Sequence, residues 1–225
     1  MPVDPISSRA RFPDPRVADG DVVAVGGDLE PGTILSAYRQ GIFPMNLKDG
    51  RLGWWSPVER AILPFGEFHI SRSLRQATRR FQVSVDSDFE GVIRGCADPS
   101  RRGGWITDEF VAVYTELYRM GWAHSVEVWD SDGDLAGGLY GIGISGLFAG
   151  ESMFHRMRDA SKVALVHLVV TLVEGEGRML DIQWATPHLR SLGAAVIGRD
   201  AYLDRLPWAL AGPDPFQRAA EADSR

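Results

Sequence analysis

The spacing of apolar residues changes near residue 60, and this change constrains the possible folds more than any other feature of the chain. Residues 1–60 are rich in Pro, Gly and aromatic side chains and keep no sustained period. Beyond them, segments that alternate apolar and polar residues, such as 81–86 and 124–129, are mixed with a segment of helical period at 107–120. We therefore predict a small irregular N-terminal domain followed by a domain of the α+β class.

Start and stop signals place elements within these two parts. Asp88 and Thr107 each precede a helical pattern and can cap it, and Gly121 can end the second helix. Asp132-Gly133 is a hairpin turn signal. The other predicted elements are a helix over 34–40 capped by Thr33, a strand over 135–144, a helix over 162–174 capped by Ser161, a strand over 178–184 and a helical turn over 188–192. The second domain is predicted to cover 61–212, and the polar end, 213–225, to be a frayed tail.

Composition excludes several classes of protein. The longest apolar run, 163–173, is interrupted by His167 and has about half the length that a membrane span needs. A single cysteine, Cys96, permits no internal disulfide and suits a reducing compartment. The charge balance, 24 basic minus 30 acidic residues, is −6 and argues against nucleic-acid binding over a broad surface. We expect a cytoplasmic protein that does not associate with membranes.

A glycine-rich segment matches a known fingerprint in the wrong context. GIGISG at 141–146 has the spacing of a dinucleotide-binding loop, which should leave a strand and open a helix. Here LFAG at 147–150 follows and reads as another strand, so we interpret the segment as a hairpin in which a ligand or another backbone comes close. The next segment, GESMF at 150–154, lacks the final glycine of a nucleophile elbow. No two of the five histidines have a metal-ligand spacing, and we predict no metal.

Two segments place polar side chains among apolar ones. Glu151 lies in an apolar, glycine-flanked stretch, where it either pairs with an Arg such as Arg156 or belongs to a site for a cationic group. On the strand over 178–184, Asp181 and Gln183 should share one face, with the apolar neighbours on the other. That pair is either a satisfied core network or a hydrogen-bonded pair over a pocket.

Aromatic and basic clusters also have two interpretations each. Trp54, Trp55 and Trp105 are either core residues or platforms for stacking a nucleobase. Four arginines lie within nine residues with no acid among them, and the pattern alone favours a solvated helix face. These are Arg72, Arg75, Arg79 and Arg80.

Ten ordered segments, spread from about residue 25 to 202, together resemble the bacterial leucyl/phenylalanyl-tRNA–protein transferases. They are YRQGIFP (38–44), WWSP (54–57), HISRS (69–73), WIT (105–107), HSVEVW (124–129), GLYG (138–141), GESMF (150–154), ASK (160–162), DIQ (181–183) and SLGA (191–194). Three positions depart from the family's pattern: many relatives have Trp at the position of Met45, many have Cys at that of Ile182, and Gly104 replaces a Thr before Trp105.

The resemblance implies a second domain of the GNAT acyltransferase type with a mixed central sheet. It implies an enzyme that transfers Leu or Phe, and less readily Met, from aminoacyl-tRNA to the N-terminal Arg or Lys of a protein and so tags it for N-degron proteolysis. Its partners are therefore aminoacyl-tRNA and such proteins, no metal or nucleotide cofactor is implied, and a monomer is expected.

The resemblance also suggests roles for individual residues. Gln183 would orient the attacking amine through its side-chain oxygen, with Asp181 polarising Gln183, as the catalytic pair. Glu151 would contact the acceptor N-terminus. The aminoacyl pocket would be lined by Leu139, Phe148, Met153 and Leu180; Trp105 and Met45 would hold the terminal adenosine, and Arg72, Arg75, Arg79 and Arg80 would hold tRNA phosphates.

Two rival functions remain open at this stage. The first is an acyl-CoA-dependent N-acetyltransferase, although MRDAS at 157–161 contains none of the glycines that cradle a pyrophosphate before a helix. The second is a module that binds degrons or tRNA without catalysis, which would need Glu151 and Trp105 but not the pair formed by Asp181 and Gln183.

Overall fold

A computed structural model describes residues 1–101 and 104–217 and contains a small and a large sheet. The small sheet is antiparallel, in the order β1-β3-β2, with β1 at Val22–Val25, β2 at Phe43–Asn46 and β3 at Leu52–Trp55. Helix α1, Pro31–Tyr38, connects β1 to β2. The first 60 residues are thus more regular than predicted, because pairing between strands of four residues leaves little periodicity to detect.

The large sheet has seven strands in the order β10-β4-β9-β8-β7-β6-β5. Its strands are β4 (Glu59–Ile62), β5 (Gln82–Val85), β6 (Ala123–Trp129), β7 (Leu135–Ile144), β8 (Leu147–His155), β9 (Met179–Gln183) and β10 (Ala195–Gly198). All neighbours are antiparallel except β8 and β9, which are parallel. The sheet is therefore mixed, and the α+β class is confirmed.

Helices cover both faces of the large sheet. They are α2 (Arg72–Thr78), α3 (Phe89–Cys96), α4 (Asp108–Arg119), α5 (Ala160–Glu174), α6 (Pro187–Ser191) and α7 (Arg199–Leu210). Successive residues of β7 point to opposite faces, so Tyr140 packs in a core with α1, α3 and α4, while Leu139 packs in another with α2 and α5. No helix in the described part of the chain has the length and apolar character needed to cross a lipid bilayer.

The glycine-rich segment is the hairpin that its context indicated. β7 and β8 join through Ser145, which has a φ of 53°, and no helix follows. A Cβ on Gly141 would lie 2.2 Å from the carbonyl oxygen of Ala149, so this glycine permits a close approach of two backbones. The motif serves strand packing in this position.

Three predicted boundaries are corrected. α1 begins at Pro31 and not at residue 34, because proline at the first helical position has no N–H to satisfy. α5 begins at Ala160, after Asp159 in the left-handed region with a φ of 71°. Part of the predicted frayed tail, 218–225, lies outside the described residues, but Phe216 is buried and stacks on His124 with centroids 3.9 Å apart.

Candidate active site

A cavity of about 300 Å³ opens where β8 and β9 separate. The two strands pair from Leu147 with Met179 to Ala149 with Asp181, and beyond this point β8 keeps its pairing with β7 but not with β9. The walls are mainly apolar. Its lining includes Phe43, Pro44, Met45, Trp105, Leu139, Tyr140, Glu151, Ser152, Met153, Leu165, Leu168, Leu180, Ile182, Gln183, Trp184, Thr186 and Leu189.

Glu151 enters this cavity from a β-bulge. Tyr140 pairs with Ser152 and Gly141 pairs with Gly150, which leaves Glu151 as the extra residue on β8. A bulge re-aims one side chain without ending the sheet. A carboxyl group is thereby placed within a mainly apolar wall.

The Glu151 carboxylate is held by neutral donors from three elements. Oε1 accepts hydrogen bonds from the Tyr38 hydroxyl at 2.5 Å and from Gln183 Nε2 at 3.2 Å, and Oε2 accepts one from the Tyr114 hydroxyl at 3.1 Å. The predicted pairing with Arg156 does not form: Nη1 of Arg156 donates to the carbonyl of Leu135. Burial raises the pKa of Glu151 from 4.5 to about 7, against the lowering effect of the two phenol hydrogen bonds.

Asp181 has a different environment, although it lies on the adjacent strand. Its carboxylate forms a bidentate pair with Arg60, with Nε to Oδ1 at 2.9 Å and Nη2 to Oδ2 at 2.5 Å, and both side chains are buried. The Tyr202 hydroxyl donates to Oδ2 at 2.9 Å and the backbone N–H of Gln183 donates to Oδ1 at 3.0 Å. Burial opposes the charge of Arg60, but Asp181 holds the pKa of the guanidinium above its ordinary value.

The expectation that Asp181 and Gln183 share a face is wrong. Leu180, Ile182 and Gln183 line the cavity, whereas Asp181 faces Arg60 and Tyr202. Gln183 has a φ of 53°, and this left-handed residue at the end of β9 breaks the alternation on which the expectation rested. The two residues are linked through the backbone N–H of Gln183 and not through their side chains.

Five of the six residues predicted for the aminoacyl pocket and the adenosine site line the cavity, and Phe148 does not. Leu139, Met153 and Leu180 line it, as do Trp105 and Met45. Phe148 is only 1% exposed and packs behind the wall against Phe216, so the structure does not place it in the lining.

The four arginines form an exposed cluster on and just after α2. Arg72, Arg75 and Arg79 surround a shallow depression on this helix. Arg80 lies beyond its end, and Nη2 of Arg80 is 3.9 Å from Oδ2 of Asp159. The four side chains are exposed. Neither Trp54 nor Trp55 lines the cavity. The indole N–H of Trp54 donates to the carbonyl of Gly26, next to β1, and that of Trp55 donates to the carbonyl of Met45 on β2.

Sequence reasoning missed three residues that determine the electrostatics of the site: Tyr38, Tyr114 and Arg60. The tyrosines occupy apolar positions of α1 and α4 and are indistinguishable from ordinary core residues in a helical pattern. Arg60 had a detectable signal, since an arginine beside Ala61 and Ile62 on a short strand must be paired if it is buried. In the described ranges, no group of three or more His, Cys, Asp or Glu side chains could hold a metal ion.

Comparison with known proteins gives a long match to one family. A family model described as leucyl/phenylalanyl-tRNA protein transferase matches residues 62–207, and a model described as the N-terminal domain of the same transferase matches 27–58. A solved structure titled L-PGS from Bacillus licheniformis aligns over 67% of this chain and 51% of that chain, with 13% identity and a TM-score of 0.39, a likeness too low to assign a fold.

Relatives align over nearly the whole chain. Proteins named leucyl/phenylalanyl-tRNA–protein transferase are 45% identical in Anaeromyxobacter dehalogenans (strain 2CP-C) and 48% identical in Salinibacter ruber (strain DSM 13855 / M31). These alignments cover 95% and 87% of this chain, and 94% and 88% of those proteins. The chain therefore belongs to the leucyl/phenylalanyl-tRNA protein transferase family.

Proposed function

We infer that this protein is an aminoacyltransferase that moves Leu or Phe, and less readily Met, from aminoacyl-tRNA to the N-terminal Arg or Lys of a protein. The reaction forms a peptide bond and would tag the acceptor for N-degron proteolysis. The observation that carries the inference, besides family membership, is one apolar cavity with Gln183 and Glu151 at its polar end.

The apolar part of the cavity is the proposed aminoacyl pocket. Leu139, Met153 and Leu180 line it as expected from the resemblance, and α5 and α6 add Leu165, Leu168 and Leu189. Leu, Phe and Met side chains are unbranched at Cβ, and a methionine in the wall can adapt to their different shapes. Such apolar contacts discriminate between substrates by only about 1–3 kcal/mol.

The proposed position of the terminal adenosine is the side of the cavity formed by Trp105 and Met45. Trp105 is anchored edge-on against Phe110, with ring centroids 5.1 Å apart, which leaves a ring face for a base. Met45 supplies a thioether where relatives often have a second aromatic ring, and sulfur also packs favourably on rings. Trp184 lies at the same cavity, 37% exposed, and offers a further aromatic surface.

The chemistry requires placement more than a strong base. An α-amine has a pKa of about 7.7–8.0, so a useful fraction is neutral near pH 7.5. Gln183 donates its amide N–H to Glu151, and its side-chain oxygen accepts no hydrogen bond from the described part of the chain and can accept one from the amine. We assign orientation of the amine to Gln183 and contact with the cationic N-terminus to Glu151.

Asp181 is proposed as a positioning residue. Its charge is neutralised by Arg60, and its Oδ1 holds the backbone N–H of Gln183 in place. The pair assigned to catalysis thus divides into Gln183, which touches substrate, and Asp181, which fixes the geometry of Gln183.

The arginine cluster of α2 is the proposed contact for tRNA phosphates. It is exposed, and only Arg80 has an acidic neighbour among the described residues. Phosphate contacts without base contacts would make binding tolerant of tRNA sequence and sensitive to salt. Replacing Arg75, Arg79 and Arg80 together should weaken tRNA binding and reduce its salt slope by about one per arginine; unchanged affinity and slope would contradict this role.

We also propose a fold type, a domain boundary, an oligomeric state and a location for this protein. We propose a GNAT-like fold for the second part of the chain, supported by the mixed sheet whose single parallel pair, β8 and β9, separates at the cavity. A division near residue 60 is supported by the two family models, which match on either side of it. A cytoplasmic location is proposed from composition, and a monomeric state is proposed as the expectation that accompanied the resemblance.

The direct test is transfer of radiolabelled Phe from Phe-tRNA to a peptide that begins with Arg. Peptides of the same sequence beginning with Ala, or with an acetylated Arg, are matched controls that should not accept. Gln183→Ala should lower transfer by at least about tenfold while tRNA binding stays intact. Binding of tRNA or peptide without transfer would indicate a non-catalytic module, and acetylation with acetyl-CoA would indicate the acetyltransferase alternative.

A further inference from the structure

Three side chains, which contribute four oxygen atoms, form a closed ring of contacts beside the cavity. The Tyr38 hydroxyl lies 2.5 Å from Glu151 Oε1, the Tyr114 hydroxyl lies 3.1 Å from Oε2, and the two hydroxyls are 2.9 Å apart. Each of the three distances is within hydrogen-bonding range. Both tyrosines are buried, and the carboxylate lines the cavity.

The number of protons in this ring depends on the state of Glu151. Each phenol carries one proton, so an ionised Glu151 leaves three contacts with two protons, and one contact is always without a hydrogen bond. When Glu151 is protonated, three protons are available for three contacts, and the ring is complete. The arrangement thus accepts one more proton without breaking any contact that it has.

The carboxylate also has capacity for a substrate. An ionised carboxylate offers about four acceptor positions, and Tyr38, Tyr114 and Gln183 occupy three of them. One position remains on Oε2 for an N–H of the amine. Gln183, which we assign to orienting that amine, donates to the other oxygen of the same carboxylate.

Four side chains from four different elements face Glu151, and no cationic group among the described residues forms a hydrogen bond or ion pair with its carboxylate. They are Tyr38 on α1, Tyr114 on α4, Tyr140 on β7 and Gln183 on β9, with Asp181 and Arg60 behind them. The hydroxyl of Tyr140 is buried and has no hydrogen-bond partner among the described residues. Burial is the largest influence on the pKa of Glu151 and raises it to about 7. Asp181 also raises this pKa, and Arg60 lowers it.

We propose that Glu151 is the acid–base catalyst of the transfer reaction, taking a proton from the attacking amine and giving it to the departing ribose oxygen. This inference rests on the proposed function and adds a chemical role to the contact that Glu151 makes with the acceptor. The neutral amine attacks the ester carbonyl, a C–N bond forms, and a proton passes from nitrogen to Glu151. The C–O bond to ribose then breaks, its electron pair stays on the ribose oxygen, and that oxygen takes the proton from Glu151.

The test is the pH dependence of kcat for Phe transfer at saturating Phe-tRNA and peptide, from pH 5.5 to 9. The wild-type rate should rise with pH through an ionisation near 7, because Glu151 must be ionised to accept a proton. Glu151→Gln keeps the shape of the side chain; it should lower kcat by about 100-fold or more and abolish that ionisation. The same pH profile is measured with a second acceptor peptide whose α-amine is less basic. An ionisation that moves to lower pH with this peptide belongs to the amine, and one that does not move belongs to the enzyme.

The matched control is Glu127→Gln. Glu127 is a fully buried carboxylate on β6 held by hydroxyls of Ser84, Ser87 and Ser125, and it does not line the cavity. Its loss should leave the pH profile unchanged. If Glu151→Gln keeps the ionisation near pH 7, or changes only KM for the peptide, the proposal is overturned. No transfer by the wild-type protein at any pH would instead contradict the proposed function.

A second variant keeps the proposal falsifiable if Glu151→Gln does not fold. Tyr114→Phe removes a hydrogen bond that lowers the pKa of Glu151, so the ionisation should move to higher pH. An ionisation that does not move in Tyr114→Phe would overturn the assignment to Glu151.

Discussion

Two buried carboxylates lie on adjacent strands of the large sheet, and their surroundings are opposite in kind. Asp181 on β9 is saturated by a guanidinium, a phenol and a backbone N–H. Glu151 on β8 is surrounded by neutral donors alone, two phenols and an amide. The comparison shows that one fold can hold a carboxylate paired with a cation beside one that has only neutral hydrogen-bond donors.

The difference follows from desolvation. A buried carboxylate either finds a cation or binds a proton more tightly, because the interior solvates its charge poorly. Arg60 supplies the first solution for Asp181, and the raised pKa of Glu151 is the second. If this comparison is correct, substitutions around the two groups should have different consequences for stability.

The largest expected effect is that of Arg60→Leu. It leaves Asp181 buried without its cation, and removing one partner of a buried pair costs about 3–5 kcal/mol. The free energy of unfolding from urea titration at pH 7 measures the loss. Arg16→Leu, which breaks a partly exposed pair with Asp200 and Asp204, is the control and should change little. Equal losses in the two variants would refute the special status of the buried pair.

Glu151→Gln is expected to change the free energy of unfolding by a smaller amount and to raise it, whereas Arg60→Leu lowers it. Because the folded-state pKa is raised, the folded protein keeps a proton that the unfolded chain loses between pH 4.5 and about 7, and wild-type stability falls as pH rises through that window. Removing the charge should therefore stabilise the protein by about 3 kcal/mol at pH 8 and by much less near pH 4.5. Melting temperatures at both pH values measure this; a gain that does not depend on pH would contradict it.

The smallest expected effect is that of Tyr202→Phe, which should destabilise the protein by about 1.5–2 kcal/mol, since its hydroxyl donates to a charged acceptor. Tyr140→Phe is the matched control, because the buried hydroxyl of Tyr140 has no partner among the described residues. Its removal should be neutral or slightly stabilising in urea titrations. If both variants lose the same stability, the hydrogen bond to Asp181 contributes nothing beyond packing.

Local patterns were sufficient where strands and helices are regular. The alternation over 124–129 and the turn at Asp132-Gly133 predicted β6 and its hairpin with β7. Asp88 caps α3 as expected, accepting from the N–H of Gly91. They failed for β1, β2, β3, β4 and β10, because these strands of four residues lack the flanking alternation that marked β5 over 81–86.

The residues of the candidate site were also predicted only in part, because a local alternation does not continue past the end of a strand. Leu139, Met153, Leu180 and Gln183, which were assigned to the site from family likeness, line one cavity, whereas the facing of Asp181 was inferred from an alternation that ends at Gln183.

The amino-acid sequence by itself determined the α+β class and which short segments contain polar groups in apolar surroundings, since these depend on composition and short-range periodicity. Its ordered motifs, by their resemblance to known proteins, also identified the family. Only the tertiary structure decided which of the two carboxylates meets a cation. Arg60 lies 121 positions from Asp181, and Tyr38 lies 113 positions from Glu151. Burial and the partners present at such separations determine the charge state of a carboxylate, and no local pattern contains either.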